Sequence, residues 1–266
     1  MDILAKCRKT AIDAALSAGK FLRARQGKIK TYDFKNGSIT NIVTDVDRKS
    51  EALIIRTIRK VFPEHEFLAE ESGKNKARSE YRWIIDPIDG TTNFVHSFPF
   101  FCVSIALEKA GKLEVGVVYN PVHDELFYAQ RGKGAYLNRK RIRTSSISDI
   151  SRSLLATGFA YDADKCTKND NINNFKEFLR VSQAVRRAGS AALDLCYVAC
   201  GRFDGFWEWD LSPWDTAAGV VIVKEAGGRV TKFDGSAYTP YDKTLLATNS
   251  AIHKNMVSVL RGREDR

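Results

Sequence analysis

From residue 3 to residue 25, Ile3, Leu4, Cys7, Ala11, Ala14, Ala15, Ala18, Phe21 and Leu22 fall at three- and four-residue spacings, the stripe of an amphipathic helix. Leu53, Ile54, Ile58 and Val61 repeat that spacing over Asp47 to Phe62, and Pro63 ends it. The pattern then changes. Phe67-Leu68-Ala69 runs into Glu70-Glu71-Ser72, and Tyr81-Arg82-Trp83-Ile84-Ile85 runs into Asp86, so two short apolar strands each end in acid. Strands follow at Phe101 to Leu107, Leu113 to Tyr119 and Glu125 to Ala129, separated by Gly111, the Asn120-Pro121 turn and Gly132. Farther on, Asn173 to Leu179, Ala191 to Cys200 and Thr216 to Ala226 read as helices, with strands around Phe203 to Trp207 and Leu245 to Ala247. Helix and strand are mixed without strict alternation, an α/β (α+β) chain rather than a doubly wound sheet.

Composition adds limits. At 266 residues, with 44% hydrophobic and 28% charged residues, the chain can bury a sizeable core and reads as globular. No repeat, low-complexity segment or linker divides it, so residues 1–266 are expected to form one unit, with an N-terminal α+β part to about 145 and a C-terminal α/β part from about 146. The formal net charge of +10 favours anionic partners, and its densest stretch, Arg139-Lys140-Arg141-Ile142-Arg143, reads as the solvated rim of a hairpin. Five cysteines without a CxxC pair suit a reducing, cytoplasmic setting, with Cys196 and Cys200 as core. No segment reads as a signal peptide, and the apolar run Ala217 to Val223 is far short of the ~20 residues of a membrane span.

Chemistry concentrates in Trp83-Ile84-Ile85-Asp86-Pro87-Ile88-Asp89-Gly90-Thr91-Thr92-Asn93-Phe94, where a buried strand empties into two carboxylates three residues apart. Pro87 and Gly90 constrain the turn around them. Two carboxylates so placed repel each other and titrate upward unless a cation lies between them. Either alone would read as an Asx turn; together they point to a metal. The donors are oxygens, which suit Mg²⁺ or Mn²⁺, and His65, His96, His123 and His253 form no ligand pattern for zinc. Thr91-Thr92-Asn93 are expected to cap a helix whose amides face an anion such as phosphate. Asp215, in Trp214-Asp215-Thr216-Ala217-Ala218-Gly219, reads by itself as an N-cap.

Glu70-Glu71-Ser72, the Asp86 to Phe94 segment and Trp214-Asp215 with Ala217-Ala218-Gly219 resemble, in order and spacing, the signatures of the inositol monophosphatase family, and the likeness runs from the first helix to about Asn249. The resemblance implies a layered αβαβα sandwich, usually a homodimer. It implies that Glu70, Asp86, the carbonyl of Ile88, Asp89 and Asp215 hold Mg²⁺, and that Glu70 and Thr91 orient and activate water. The amides of Gly90 and Thr91 would hold the phosphate, while Asp47 would assist the weaker metal and the leaving group. Gly189-Ser190-Ala191 and Glu208 resemble positions that contact inositol hydroxyls, Asp215 is implied to touch the substrate as well as the metal, and Arg186 and Arg187 lie nearby. Asp210 departs from the family, which commonly has glycine there, and with Trp209 it bears on specificity.

The expected activity is hydrolysis of a small phosphorylated polyol or sugar, inositol 1-phosphate foremost and fructose 1,6-bisphosphate as rival. The family's other esters are histidinol phosphate, adenosine 3',5'-bisphosphate and NADP. A different class of function, binding to RNA or transcription machinery as in some similar bacterial proteins, is compatible with the charge, although no RNP motif, KH loop or arginine-rich tail supports it.

Overall fold

The structure, a computed structural model, describes residues 2–29, 31–34, 42–75, 77–159 and 171–261. Two helices open the chain, α1 (Ile3–Arg23) and α2 (Asp45–Arg59), each within two or three residues of the apolar stripe that predicts it. Between them, β1 (Asp33–Phe34) and β2 (Ile42–Val43) form a small antiparallel ribbon.

β3 (Glu66–Ala69), β4 (Gly73–Lys74), β5 (Tyr81–Asp89), β6 (Cys102–Lys109), β7 (Lys112–Asn120), β8 (Glu125–Gln130), β9 (Ala135–Leu137) and β10 (Lys140–Ile142) build an eight-stranded sheet. It is antiparallel except where β3 lies parallel to β5. The basic stretch at 139–143 forms part of the β9–β10 hairpin at the sheet's edge, as its solvated pattern predicts. A second, five-stranded sheet contains β11 (Leu154–Thr157), β12 (Ala184–Arg186), β13 (Gly205–Trp209), β14 (Arg229–Thr231) and β15 (Thr244–Thr248) in the order β12-β11-β13-β15-β14.

Among the described residues, three apolar cores fix the stacking. Trp83 and Ile85 of β5, with Phe101, Val103 and Ile105 before and within β6, pack with Ala11, Ala15 and Ile54 of the first two helices. Ile84, Cys102 and Ala106 point the other way and pack against α5 (Ala191–Ala199) and α6 (Pro213–Glu225). This alternation is the two-residue period of a strand buried on both faces. The same α5 and α6 meet Ala156, Phe206 and Ala247 of the second sheet, so they are apolar all round, as a helix between two sheets must be. Beyond it, α4 (Asn171–Val181) and α7 (His253–Arg261) cover Leu155, Trp207 and Leu246. The layers run helix, sheet, helix, sheet, helix: the αβαβα sandwich. Among the described residues no helix is long and apolar enough to cross a membrane.

Cys7, Cys102, Cys196 and Cys200 are free thiols, and Cys166 lies outside the described residues. Cys196 is fully buried in the middle core and Cys200 packs at its edge. His65 is also structural: it accepts a hydrogen bond from Trp83 Nε1 at 3.1 Å and stacks on Phe62 and Tyr81.

Candidate active site

β5 continues past the expected end at Ile85 and carries both acids. Asp86 pairs with Ser104 and Asp89 with Cys102, so three steps on β5 oppose two on β6. Side chains alternate faces along a regular strand, which would send residues three apart to opposite sides; the extra residue of this bulge returns both to one face. That face is the middle layer. Ser104 Oγ donates to the carbonyl of Trp214 at 3.2 Å at the start of α6, and Asp89 Oδ2 accepts from Ser190 Oγ at 2.6 Å and the Ala192 amide at 2.7 Å at the start of α5.

Asp215 belongs to that α6 start, but it is not the N-cap its sequence context predicts. Ser212 caps the helix, Pro213 takes a position where its missing N–H costs nothing, and Asp215 closes a capping box by accepting the Ser212 amide at 2.7 Å. One carboxylate oxygen from each of Asp86, Asp89 and Asp215 lies within 4.8 Å of the others. Glu70 follows β3 and borders the same cavity. Its turn is tied down by Glu51 of α2, whose carboxylate accepts the Glu71 and Ser72 amides at 2.8 and 2.9 Å.

Gly90 turns the chain after Asp89 with φ 93°, a left-handed conformation, and a Cβ there would lie 3.0 Å from the Phe100 carbonyl. It is itself the N-cap of α3 (Thr91–Val95), so the expected capping by the Thr91-Thr92-Asn93 side chains does not occur. Those side chains work elsewhere. Asn93 donates to the carbonyls of Phe100 at 2.7 Å and Ala188 at 2.9 Å, and Thr91 Oγ1 lies 3.0 Å from both Asp47 Oδ1 and the Ile88 carbonyl. Asp47 also accepts from the amide and hydroxyl of Thr44, at 2.8 and 2.6 Å, in a capping box at the start of α2.

Electrostatically the cluster is strained towards a cation. Asp86 is 2% exposed and held well above the usual carboxylate range by burial and then by the charges of Glu70, Asp89 and Asp215. Burial also raises Asp215 strongly, with Asp89 and Glu70 adding to it. Asp89 rises to about 6, restrained by the hydrogen bonds from Ser190 and Ala192. Asp47 is raised by burial, against its threonine donors. Converging oxygens whose negative charges oppose one another fit a hard divalent cation.

The cavity beside them has a volume of about 400 Å³, and Asp86, Thr91, Gly189, Arg187, Glu208 and Trp209 are among the residues that line it. Gly189, Ser190 and Ala191 all line it, with the Ser190 hydroxyl committed to Asp89. Glu208 on β13 is 8% exposed, and burial, then Asp89, push its carboxyl up to about 8 against the opposing charge of Arg187. Gly158 makes room for it: a Cβ at that position would overlap the Glu208 carboxylate. Asp210 sits at the rim with φ 63° and is paired to Lys243. That left-handed backbone suits glycine or aspartate, which explains how either residue can occupy the turn. Arg186 is exposed, its guanidinium donating to the Val185 carbonyl at 3.2 Å, whereas Arg187 borders the cavity.

Asp194 is the site residue the sequence reading passes over. It stands on α5, is 1% exposed, and lines the cavity with Oδ1 lacking a hydrogen-bond partner among the described residues. The available signal was one acid inside the otherwise apolar run Ala191 to Cys200.

A five-layer sandwich with an acidic cluster of oxygen donors in its middle layer accommodates metal-assisted hydrolysis, and comparison with known proteins gives the class, a phosphatase, that is, a phosphoric monoester hydrolase. The profile of the "Inositol monophosphatase family" matches residues 3–264. An inositol-1-monophosphatase of Synechocystis sp. is 46% identical over 94% of this chain and 87% of its own length. The solved inositol monophosphatase of Anabaena (Nostoc) sp. superposes with a TM-score of 0.89 at 45% identity, covering 98% of each chain. A protein named Nus factor SuhB from Escherichia coli is 42% identical over 94% of each chain. The chain belongs to the inositol monophosphatase family.

Proposed function

We propose that the chain hydrolyses a phosphate monoester of a small polyol, inositol 1-phosphate before other esters, with Mg²⁺ held by Glu70, Asp86, Asp89, Asp215 and the Ile88 carbonyl. The observation that carries this reading is the convergence of Asp86, Asp89 and Asp215 within 4.8 Å beside a cavity that the buried Glu208 also lines. When bound, Mg²⁺ supplies neutralisation of the phosphate oxygens and acidification of water. The residues divide the remaining work. Thr91 Oγ1 has its proton engaged by Asp47 Oδ1 or the Ile88 carbonyl and so presents a lone pair that orients water. Glu70 takes one proton of that water as its oxygen bonds to phosphorus, the phosphorus–oxygen bond to the alcohol breaks, and the alkoxide takes a proton from solvent water to give an alcohol and inorganic phosphate, after which Glu70 returns its proton to solvent. The amides of Gly90 and Thr91 hold the phosphate, Asp47 fixes Thr91 on the side of the attacking water rather than assisting the leaving group, and Gly189, Ala191 and Glu208 face the alcohol.

The test is phosphate release from inositol 1-phosphate, fructose 1,6-bisphosphate, histidinol phosphate, adenosine 3',5'-bisphosphate and NADP, with Mg²⁺, with Mn²⁺ and with EDTA. Turnover of inositol 1-phosphate that EDTA abolishes is the expected result; turnover of none of them by folded protein sinks the reading. A second reading, association with transcription machinery or RNA, is favoured by the relatives named Nus factor SuhB. It is compatible with catalysis and is separated from it by RNA binding that survives Asp86→Asn. The two parts about residues 1–145 and 146–266 are proposed to fold as one unit, and the protein is proposed to be a cytoplasmic homodimer, checked by light scattering.

A further inference from the structure

Asp194 is a buried carboxylate that the proposed chemistry does not use. It lies one turn into α5, the helix whose first turn gives the Ser190 hydroxyl and the Ala192 amide to Asp89. One short stretch therefore braces the acidic cluster and, a turn later, places a further acid in the wall of the same cavity. An unpartnered carboxyl oxygen buried to this depth is expensive and calls for a partner, which a hydroxyl entering the adjoining cavity can supply. Its electrostatic surroundings are acidic. Burial, then the charges of Glu208 and Asp89, push its carboxyl well up, and Arg187 alone opposes them.

From this placement we infer that Asp194, together with Glu208, accepts hydrogen bonds from hydroxyls of the substrate's alcohol and makes the cavity specific for neutral polyols. The inference rests on the phosphatase reading and adds a specificity residue to it. The cavity wall here offers two carboxyl groups, each with an oxygen that accepts a hydrogen bond in either protonation state, so its complement is a hydroxyl-rich group without negative charge, which describes a polyhydroxylated ring or chain. A second phosphate or a carboxylate on the alcohol would face two buried acids. Rotation of the Asp194 carboxyl about its Cβ–Cγ bond exchanges its two oxygens, so either can meet a hydroxyl. Removing a hydroxyl leaves a buried acceptor unsatisfied, a mismatch that discriminates more strongly than a missing methylene.

The experiment compares kcat/KM for myo-inositol 1-phosphate and cyclohexyl phosphate, which share a six-membered carbocycle and differ in ring hydroxyls, using wild-type protein and Asp194→Asn. The wild type is expected to prefer the inositol ester by about 100-fold, and Asp194→Asn to cut that preference about tenfold, mainly through KM. The asparagine keeps the side-chain shape and removes a buried carboxyl whose ionisation its surroundings oppose, so its Tm should equal or exceed that of the wild type. A preference within twofold of wild type in the variant overturns the inference, as does an equal loss on both esters with a lowered Tm, which would assign Asp194 a structural role. Wild-type protein with equal kcat/KM on both esters overturns it without any variant. Wild-type protein that hydrolyses neither ester is the separate failure of the phosphatase reading, and the inference falls with it.

Discussion

Gly158 and Glu208 are 50 residues apart in the chain yet occupy one space, since any Cβ at 158 would overlap the Glu208 carboxylate. A Gly158→Ala variant must therefore displace Glu208 from the cavity wall, which is expected to raise KM for inositol 1-phosphate about tenfold and cost ~1–2 kcal/mol of stability, read by steady-state kinetics and urea denaturation. An unchanged KM would show that Glu208 does not touch the alcohol. The individual acids were legible in the sequence because Pro87 and Gly90 punctuate them, because Glu70 and Asp86 each stand at the end of an apolar run, and because Asp215 opens a run of small and apolar residues. Asp194 was not, because an acid within a helix normally reads as a solvent-facing position, and only packing between two sheets removes the solvent.

At the scale of elements, the bulge in β5 is what converts two acids three residues apart into one site. No sequence period encodes it: the register comes from hydrogen bonding to β6, whose Ser104 and Cys102 take Asp86 and Asp89 as partners. The helix starts were partly legible, yet Ser212 rather than Asp215 caps α6, because Pro213 fits the first helical position and sets the register. The last helix supplies a pH test away from the active site. His253 at the start of α7 is buried between Thr231 and Thr248, 3.1 and 2.9 Å from its ring nitrogens. Burial, assisted by Arg229, lowers its pKa from 6.5 to about 4. Unfolded chain takes up a proton near 6.5 and folded chain resists until about 4, so in that window the unfolded state binds more protons and stability falls as pH falls. Between pH 7 and 4.5 the wild type should lose ~2 kcal/mol more than His253→Asn in urea denaturation; parallel losses would exclude the effect.

For the whole molecule, the acidic cluster couples metal, protons and folding. Asp89 is raised to about 6 and Asp86 and Asp215 are raised beside it, so the metal-free site binds protons above the usual carboxylate range that a cation must displace. Mg²⁺ binding is expected to release about one proton at pH 6, less at pH 8, measured by calorimetry in two buffers of different ionisation enthalpy. At a hundredfold excess over Kd it should stabilise the fold by ~2.7 kcal/mol. No proton release and no shift in Tm would deny the cluster its cation. The layered architecture was only half visible in the chain. The amphipathic α1 and α2 and the uniformly apolar α6 announce outer and inner helices, but the parting of the strands into sheets of eight and five follows from pairings such as β13 with β15, across 35 or more residues.

The sequence by itself determined the composition of the site and the family: oxygen donors, a rigid Pro–Gly turn, apolar strands ending in acid, and helices graded from amphipathic to wholly apolar. Those features are local, and local patterning is enough to state which residue types meet a hard cation. Only the tertiary structure decided which of them meet. The β5 bulge, the junction of α5 and α6 starts beneath it, the space that Gly158 leaves for Glu208 and the burial of Asp194 all depend on groups distant in the chain, and distance through space sets both repulsion between charges and the cost of desolvating them.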